Sequence, residues 1–319
     1  MAGGPAGRTV TTDVYVNPLP FVFGIVAASV DGGGNAGVHH ESIFSTGCVT
    51  GRSKIAFDGL DVAYGIPAAV HTSGLISTKN GNGSCSGQLI HDSDPCNTTY
   101  PYDQDSLGAT LPTTSTCYNK ARSVYGNLAQ FNDTNSVAYN YPRTSYIDEA
   151  TMASKFMAKR RPFTDAQLAQ LKATAQSDGT YYTSTTFTVP SGPDALLYFD
   201  LTSTNPGGTV DLNDLAVSPW NRDHDPATCP SQSLMVIIEG GNARMNSNSK
   251  LSAAVFLVSG DPYGNVSKAN GTATFTGTLY ANNVDLTGTA DMWMDQCFMN
   301  NIPPALTSME TRNYREVDR

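Results

Sequence analysis

The stretch ANGTATFTGTLYANNVDLTGTADMW, from Ala269 to Trp293, consists almost entirely of small, β-branched and turn-forming residues. No charged side chain occurs in it before Asp285. Apolar residues set among polar ones in this way are typical of short strands, whose successive side chains point to opposite faces. We therefore expect strands whose threonines and asparagines lie on the outer face or in turns. The side chains expected to point inward are those of Phe275, Leu279, Val284 and Leu286.

Two further strand-like segments precede this stretch at a similar spacing. Their apolar centres are Val236 and Val255, and the next centre is Leu279, so the intervals are 19 and 24 residues. A repeat of about 20 residues with two or three short strands per coil is typical of a parallel β-solenoid, in which each coil covers the strand edges of the coil before it. An antiparallel β-sandwich would have strands of the same length and is the alternative.

The predicted fold is therefore mainly β: an irregular parallel, β-helix-like β-solenoid with a short helical insert and a disulfide-tied loop region. A strand is also predicted in RTVTTDVYV, which alternates polar with apolar residues from Arg8 to Val16. Residues 1–20 are assigned to an N-terminal leader and strand, and residues 21–319 to a single β-solenoid-like domain. Within that domain, residues 80–146 are a loop insertion and residues 147–178 a helical insert.

Two helices are predicted in the helical insert. The first lies in DEATMASKFMAKRR, from Asp148 to Arg161, and ends before Pro162. The second begins at Thr164, which is expected to form a capping box with Gln167. Its predicted buried face consists of Leu168, Leu171 and Ala175. Gly179 follows as a stop signal, and no helix is predicted after it.

The composition argues against several classes of function. Only 15% of the residues are charged, and the formal net charge is -9. An acidic chain of this kind is not expected to bind nucleic acids or anionic membranes broadly. One basic cluster consists of Lys155, Lys159, Arg160 and Arg161. It is interpreted as a solvated helix end, with a contact surface as the alternative.

Export is indicated by composition rather than by a signal. Asn, Thr, Ser and Gly are abundant, as is common in secreted β-rich proteins. No apolar run reaches the roughly 18 residues of a membrane-spanning helix, and no secretory signal is visible. We therefore expect an extracellular protein from which an N-terminal segment has been removed.

The cysteine count supports the same compartment. An even number of cysteines in a Thr- and Asn-rich chain predicts disulfide bonds in an oxidising environment. The six cysteines are Cys48, Cys85, Cys96, Cys117, Cys229 and Cys297. Their connectivity is left open, although a local bond between Cys85 and Cys96 is one candidate. Because no spacing is CxxC, neither a structural zinc site nor thiol catalysis is favoured.

Several segments resemble a known family. They are YGIPAAVHTSGLIST (Tyr64 to Thr78), FTDAQLAQLKATAQSDGTYY (Phe163 to Tyr182), SLMVIIEGG and GTATFTGTLYANNVDLTG. All four are similar to bacterial type IV pilus assembly proteins of the PilX-like class, which are minor-pilin-like. Members of that class have an N-terminal membrane helix followed by a large extracellular domain of β-solenoid character. The resemblance covers roughly residues 40–80 and 160–300.

The resemblance implies a non-enzymatic function at the bacterial surface. The chain would be the ectodomain of a pilus component that acts in pilus assembly or as a tip adhesin. Its partners would be other pilins or pilus assembly proteins, and it would meet the membrane only through the missing N-terminal helix. Two departures are that this helix with its processing site is absent from the sequence and that the cysteine loop at 80–120 is additional.

The histidines are weak candidates for chemistry. His71 is interpreted as a turn histidine that hydrogen-bonds a neighbouring coil, with a ligand or base as the alternative. His39 and His40 follow a glycine-rich turn. Adjacent residues of a strand point to opposite faces, which argues against the pair as joint metal ligands.

One polar cluster, NRDHDP from Asn221 to Pro226, could hold calcium. Asp223 and Asp225 would lie on one side of an extended segment, and carboxylates are calcium ligands. The cluster lacks the glycine and distal carboxylate of a dedicated calcium loop. A solvated loop with local side-chain hydrogen bonds is therefore the favoured interpretation, and no other cofactor is predicted.

Two alternative functions remain open. A polysaccharide lyase or hydrolase on a β-helix would need carboxylates clustered in a groove. Asp285, Asp291 and Asp295 could lie on neighbouring coils, but they are interpreted as surface residues without a close basic partner. No nucleotide, serine-hydrolase or metalloprotease motif occurs. The other alternative is DNA capture by a pilus tip through the basic cluster.

The tyrosines of the loop insertion are candidates for a recognition surface. Exposed tyrosine beside Asn and Thr suits contact with glycans or proteins of a host or cell surface. The favoured interpretation is that the rings hold the insertion in place, and recognition is the alternative. The candidates are Tyr100, Tyr102, Tyr118 and Tyr125.

Overall fold

The computed structural model describes most of the chain outside the loop insertion. The described residues are 9–18, 23–32, 35–47, 49–51, 54–58, 60–68, 70–72, 76–77, 89–90, 129–131, 144–146, 149–155, 159, 161–192, 194–222, 233–246, 248–258, 263–268, 272–286 and 288–317. Among them no helix is long and apolar enough to cross a membrane.

Strands dominate the described residues. They are β1 (Thr9–Pro18), β2 (Ile25–Gly32), β3 (Asn35–His39), β4 (Ile43–Ser45), β5 (Val49–Gly51), β6 (Lys54–Asp58), β7 (Leu60–Asp61), β8 (Ile66–Pro67), β9 (Val70–Thr72), β10 (Ile76–Ser77), β11 (Leu89–Ile90), β12 (Ala129–Phe131), β13 (Thr144–Tyr146), β14 (Tyr181–Tyr182), β15 (Asp194–Asp200), β16 (Thr209–Asp211), β17 (Ser233–Glu239), β18 (Asn242–Arg244), β19 (Lys250–Leu257), β20 (Asn265–Lys268), β21 (Thr274–Leu286), β22 (Asp291–Trp293) and β23 (Thr307–Val317). The helices are α1 (Glu149–Lys155), α2 (Asp165–Ser177) and α3 (Gln296–Asn300), with 3-10 turns at Leu212–Leu215 and Pro304–Leu306.

Most strands belong to three parallel ladders. Ladder A has the order β14, β15, β17, β19, β21, β2, β4, β9, β13. Ladder B has the order β16, β18, β20, β21, β2, β5, β10. Ladder C has the order β19, β21, β22, β3, β6, β12. The prediction of a mainly β, parallel fold is therefore confirmed, and the antiparallel sandwich is excluded.

The predicted repeat corresponds to real strand register. Val236 is the direct partner of Val255, and Val255 is the direct partner of Leu279. Leu279 is in turn paired with Ile25, near the beginning of the chain. The first two contacts follow the periodicity of the sequence, whereas the third joins residues that are more than 250 positions apart.

The order of strands in ladder A is a permutation of their order in the chain. From β14 to β21 the ladder follows the chain, and it then continues with β2, β4, β9 and β13. The N-terminal strands thus extend the ladder that the C-terminal strands begin. The two ends of the described chain meet in an antiparallel ribbon of β1 and β23, which confirms the predicted N-terminal strand.

One apolar interior serves all three ladders. The inward residues of the ladders form a single buried cluster, and the four residues predicted to point inward belong to it. Thr274, Thr276 and Thr278 alternate with the inward Phe275 and Leu279, as expected for the outer face, but they are buried. The outer side of β21 is therefore covered rather than exposed.

A second apolar layer covers the outer side of ladder A. Its centre is the outer row, a register-aligned set of outward side chains formed by Tyr198, Ile237, Phe256, Tyr280, Val26, Phe44 and His71. All of them are buried. Aromatic contacts run along the row, with ring centroids 5.1 Å apart both between Phe256 and Tyr280 and between Phe44 and His71.

The helical insert supplies this cover. Ladder A has nine strands at a spacing of about 4.8 Å, so β13 and β14 lie roughly 38 Å apart at its two ends. The chain between them, with α1 and α2, must span that distance. Phe163, which precedes α2, packs against Phe256 with ring centroids 4.8 Å apart. Leu168 and Leu171 of α2 belong to the same buried cluster as the outer row.

The predicted features of α2 are confirmed. The side chain of Thr164 accepts a hydrogen bond from the backbone of Gln167, and the Gln167 side chain caps the Thr164 backbone. Leu168, Leu171 and Ala175 are the buried residues of the helix. Gly179 has φ of 71°, a left-handed conformation that glycine adopts without strain. The prediction that no helix follows is wrong, since α3 lies at Gln296–Asn300.

An ion pair fastens α2 to ladder A. Lys172 of α2 donates to Asp200 of β15, and the Tyr181 hydroxyl donates to the same carboxylate over 3.0 Å. The Thr202 hydroxyl donates to its other oxygen over 2.5 Å. Burial alone would raise the pKa of Asp200, but the hydrogen bonds from Lys172, Thr202 and Tyr181 outweigh it and lower the pKa to about 2.

Acid is expected to weaken this anchor. A carboxyl whose folded pKa is lowered contributes stability above its unfolded pKa and loses that stability as the pH falls through the folded value. The wild-type melting temperature should therefore fall between about pH 4 and pH 2, and Asp200→Asn should reduce that dependence and lower stability at pH 6 by about 1–2 kcal/mol. Calorimetry across this pH range measures both effects. Asp178→Asn, at an exposed position, is the control, and an unchanged acid slope in Asp200→Asn would contradict the prediction.

The disulfide prediction remains untested. No disulfide pair has both members among the described residues, and the cysteine that is described, Cys297, is buried and not free. The other five cysteines lie outside the described residues. Short strands β11, β12 and β13 lie within the predicted loop insertion.

Candidate functional site

A cluster of polar and aromatic side chains forms at the turn between β3 and β4. The strand ends at His39, and His40 has φ of 59°, which turns the chain out of the strand. Both rings consequently contact Trp293 of β22, at centroid distances of 4.1 Å for His39 and 5.8 Å for His40. The expectation that the two histidines point to opposite faces is wrong, because His40 does not have strand geometry.

Register explains why Trp293 meets His39. The two residues are direct partners in the pairing of β22 with β3, and Asp291 is the partner of Gly37. His39 Nε2 lies 3.5 Å from Asp291 Oδ1, with 17% and 41% of the two side chains exposed. A Cβ at Gly37 would lie 2.3 Å from His39 Nε2 and 2.8 Å from Asp291 Oδ1. The absence of a side chain at position 37 therefore makes room for this approach.

Two carboxyl groups lie behind this surface in the protein interior. Glu41 follows His40 directly, and Asp61 ends β7. Both are 0% exposed. The backbone N–H of Val62 donates to the His40 carbonyl over 3.0 Å, which ties the β7–β8 hairpin to the turn between β3 and β4.

Burial dominates the electrostatics of both carboxyls. Burial, and then the charge of Asp61, raise the pKa of Glu41 well above its ordinary value. Burial also raises the pKa of Asp61 to about 6, although hydrogen bonds from Ser42 and from the backbone of Ala63 and Tyr64 oppose it. Sequence reasoning did not select either residue, and the dipeptide His40–Glu41 next to a glycine-rich turn was the available signal.

His71 lies at one end of the outer row. It belongs to β9 and is paired with Phe44 and Ser145, so the prediction of a turn histidine is wrong. Burial lowers its pKa to about 3. A neutral imidazole stacked on Phe44 serves the packing of the outer row rather than acid–base chemistry.

The three aspartates considered for catalysis have different environments. Asp295 is not a surface residue, because it is buried and forms a two-pronged ion pair with Arg222 at 2.7 and 3.1 Å. Asp295 also accepts from the Phe298 N–H over 2.7 Å and so caps α3. Asp285 is half-buried and paired in register with Asp31 in ladder B. The structure therefore does not bring the three carboxylates together.

The basic cluster is described only in part. Lys159 and Arg161 are exposed, and Arg161 forms an ion pair with Asp165 over 2.6 Å. Because this carboxylate offsets one of the positive charges, the cluster is a weaker anion-binding surface than its sequence indicates.

A groove lies between α2 and the segment before β23. Its volume is about 770 Å³. The lining includes Gln167, Gln170 and Thr174 of α2, Asp194 and Leu196 of β15, and Pro303. Amide, hydroxyl and carboxylate groups mixed with leucine and proline suit contact with another polar surface.

Several predicted residues lie outside the described part of the chain. These are the candidate calcium ligands Asp223 and Asp225 and the recognition tyrosines Tyr100, Tyr102, Tyr118 and Tyr125. Among the described residues, no group of three or more His, Cys, Asp or Glu side chains is arranged to hold a metal ion. The predictions for the two aspartates and the four tyrosines stay predictions.

Comparisons with known proteins leave the family open. No family model matches the chain, and neither a curated protein nor a solved structure matches it. The resemblance to PilX-like proteins therefore stays a prediction.

Proposed function

We propose that the chain is an exported, non-enzymatic structural or adhesive protein. It acts as the ectodomain of a type IV pilus minor-pilin-like component, in pilus assembly or as a tip adhesin. The observation that carries the proposal is the position of the loop insertion. Among the described strands, β10 ends ladder B and pairs with β11 in an antiparallel manner, β12 ends ladder C and β13 ends ladder A. The insertion is thus attached at one end of the stack.

A β-solenoid is the architecture proposed for the stack. β2 contributes to ladders A and B, and β3 to ladder C. The next three strands repeat this order, since β4 belongs to ladder A, β5 to ladder B and β6 to ladder C. One apolar interior shared by three ladders supports the same interpretation. Such a shaft is stiff because each coil contacts its neighbours along its whole length. A stiff shaft that carries a long insertion at its end is suited to present a recognition surface.

The cover on ladder A supports a structural rather than a catalytic function. Solenoid enzymes need an accessible groove with carboxylates, whereas the outer side of ladder A is closed by the helical insert. A carbohydrate-active enzyme remains the second candidate because Asp291 lies beside His39 and Trp293 at a partly exposed position. DNA capture has weaker support, since Asp165 pairs with Arg161.

Deletion of the gene and deletion of the insertion alone should have different effects on pilus assembly and on adhesion. Removal of the gene from the bacterium that encodes it is expected to reduce the number of surface pili seen by electron microscopy. Replacement of residues 91–128 with a short Gly-Ser linker should preserve pilus number and reduce adhesion, because the ladders remain intact. The chain should also be detected in sheared pili.

Three results would contradict this proposal. Normal pilus number and adhesion after deletion of the gene would exclude the pilus function. Cleavage of a polysaccharide by the purified chain, lost in Asp291→Ala, would favour the enzyme instead. Salt-sensitive retardation of DNA would favour DNA capture.

A further inference from the structure

We propose that Glu41 and Asp61 form a buried binding site for one divalent cation, and that calcium is the ion that fits it. The site lies between the turn that joins β3 to β4 and the β7–β8 hairpin. It is independent of the pilus function, and its residues differ from the predicted calcium ligands Asp223 and Asp225.

Unpartnered oxygen atoms are the first observation. Within the described part of the chain, neither Glu41 Oε1 nor Glu41 Oε2 has a hydrogen-bond partner, and Asp61 Oδ2 also lacks one. Asp61 Oδ1, in contrast, accepts from the backbone N–H of Ala63 over 2.9 Å. Buried polar atoms in proteins are almost always paired. Three unpaired carboxylate oxygens on two buried side chains therefore point to a ligand.

Proximity of the two chain segments is the second observation. The backbone N–H of Val62 donates to the His40 carbonyl over 3.0 Å, so the hairpin that carries Asp61 lies against the segment that carries Glu41. Neither carboxylate forms an ion pair with a basic side chain among the described residues. Two negative charges in the same apolar region repel one another and are costly to bury without a counter-charge.

The chemistry of the donors selects the ion. Calcium prefers carboxylate, carbonyl and hydroxyl oxygens and tolerates irregular coordination. Zinc and copper prefer nitrogen or sulfur ligands. Charge neutrality also favours a divalent ion, because one such ion balances both carboxylates. Backbone carbonyls of the turn would complete the coordination.

Thermal unfolding of the intact chain tests the site. After dialysis against EDTA at pH 7.5, added calcium chloride should raise the melting temperature progressively with its concentration, because the ion binds the folded state only. Titration calorimetry with calcium should give one saturable site. Glu41→Gln removes a charged ligand and should abolish both the thermal shift and the heat. Asp214→Asn, at an exposed position, should keep both.

Terbium provides a readout that does not depend on stability. Tyr64 is three residues from Asp61, and its backbone N–H donates to the Asp61 carbonyl over 3.3 Å, so excitation of tyrosine should sensitise emission from a bound terbium ion. Calcium should displace that emission, and Glu41→Gln should lose it. The proposal is overturned if neither calcium nor terbium binds the wild type, since the carboxyls would then be buried as neutral acids. If magnesium raises the melting temperature as much as calcium does, the choice of calcium is wrong.

Discussion

Replacement of Gly277 with alanine is expected to destabilise the protein by more than about 3 kcal/mol, or to prevent folding. Gly277 has φ of 137°, a conformation that L-residues rarely adopt. A Cβ there would lie 2.0 Å from the carbonyl oxygen of Ala253 and 2.9 Å from Phe298 Cε2. Ala253 is the register partner of Gly277 in the neighbouring strand. The clash therefore cannot be relieved without opening the contact between β19 and β21.

Gly179 is the control for the steric clash expected in Gly277→Ala. Gly179 also has positive φ, at 71°, but a Cβ there would have no atom within 4 Å. Gly179→Ala should therefore cost only about 1–2 kcal/mol, the penalty for a left-handed L-residue. Urea unfolding of both variants, followed by circular dichroism, gives the two free energies. Equal losses would show that the contact with Ala253 is not the cause.

The periodic part of the fold could be predicted because it depends on parallel strands that follow one another at a regular interval. Val236, Val255 and Leu279 are 19 and 24 residues apart, and each is the direct register partner of the next. The alternation within β21 likewise identifies its inward side chains. Local signals also sufficed for α2, whose capping box involves residues three positions apart.

The position of β2 could not be predicted from spacing. It pairs with β21 on one side and with β4 on the other, and the first contact joins the two halves of the chain. Periodicity within either half contains no information about such a contact. The outer layer had a signal that was missed: β17 contains the continuous apolar run LMVII at residues 234–238, which is typical of a strand buried on both faces. The helical insert is the element that covers it.

The candidate site depends on the same long-range contacts. His39 and Trp293 meet only because β3 pairs with β22, and the segments of Glu41 and Asp61 lie together only because the β7–β8 hairpin folds back on the turn. Asp295 was expected at the surface because no basic residue is near it in sequence. Its partner, Arg222, is 73 positions away. Residue type alone does not reveal which charges are paired in the interior.

Loss of the Arg222–Asp295 pair is the second large effect that we expect. Both side chains are less than 10% exposed, and Arg222 also donates to the Ser252 hydroxyl over 3.3 Å. Arg222→Met should cost about 3–5 kcal/mol, because it leaves the Asp295 carboxylate buried without a counter-charge. The loss should be measurable as a lower urea midpoint.

A double mutant tests that reason. Asp295→Asn removes the negative charge that lacks a partner in Arg222→Met, but it keeps a side-chain oxygen that can cap α3. In the Arg222→Met background it should therefore recover part of the lost stability, whereas in the wild type it should be destabilising. Arg244→Met provides the matched control, since Arg244 pairs with Asp211 over 2.8 Å with 51% of its side chain exposed. Exposed pairs contribute at most about 1 kcal/mol. Equal losses of unfolding free energy in Arg244→Met and Arg222→Met would show that burial does not strengthen the Arg222–Asp295 pair. In that case α3 is held to the ladders by its apolar contacts instead.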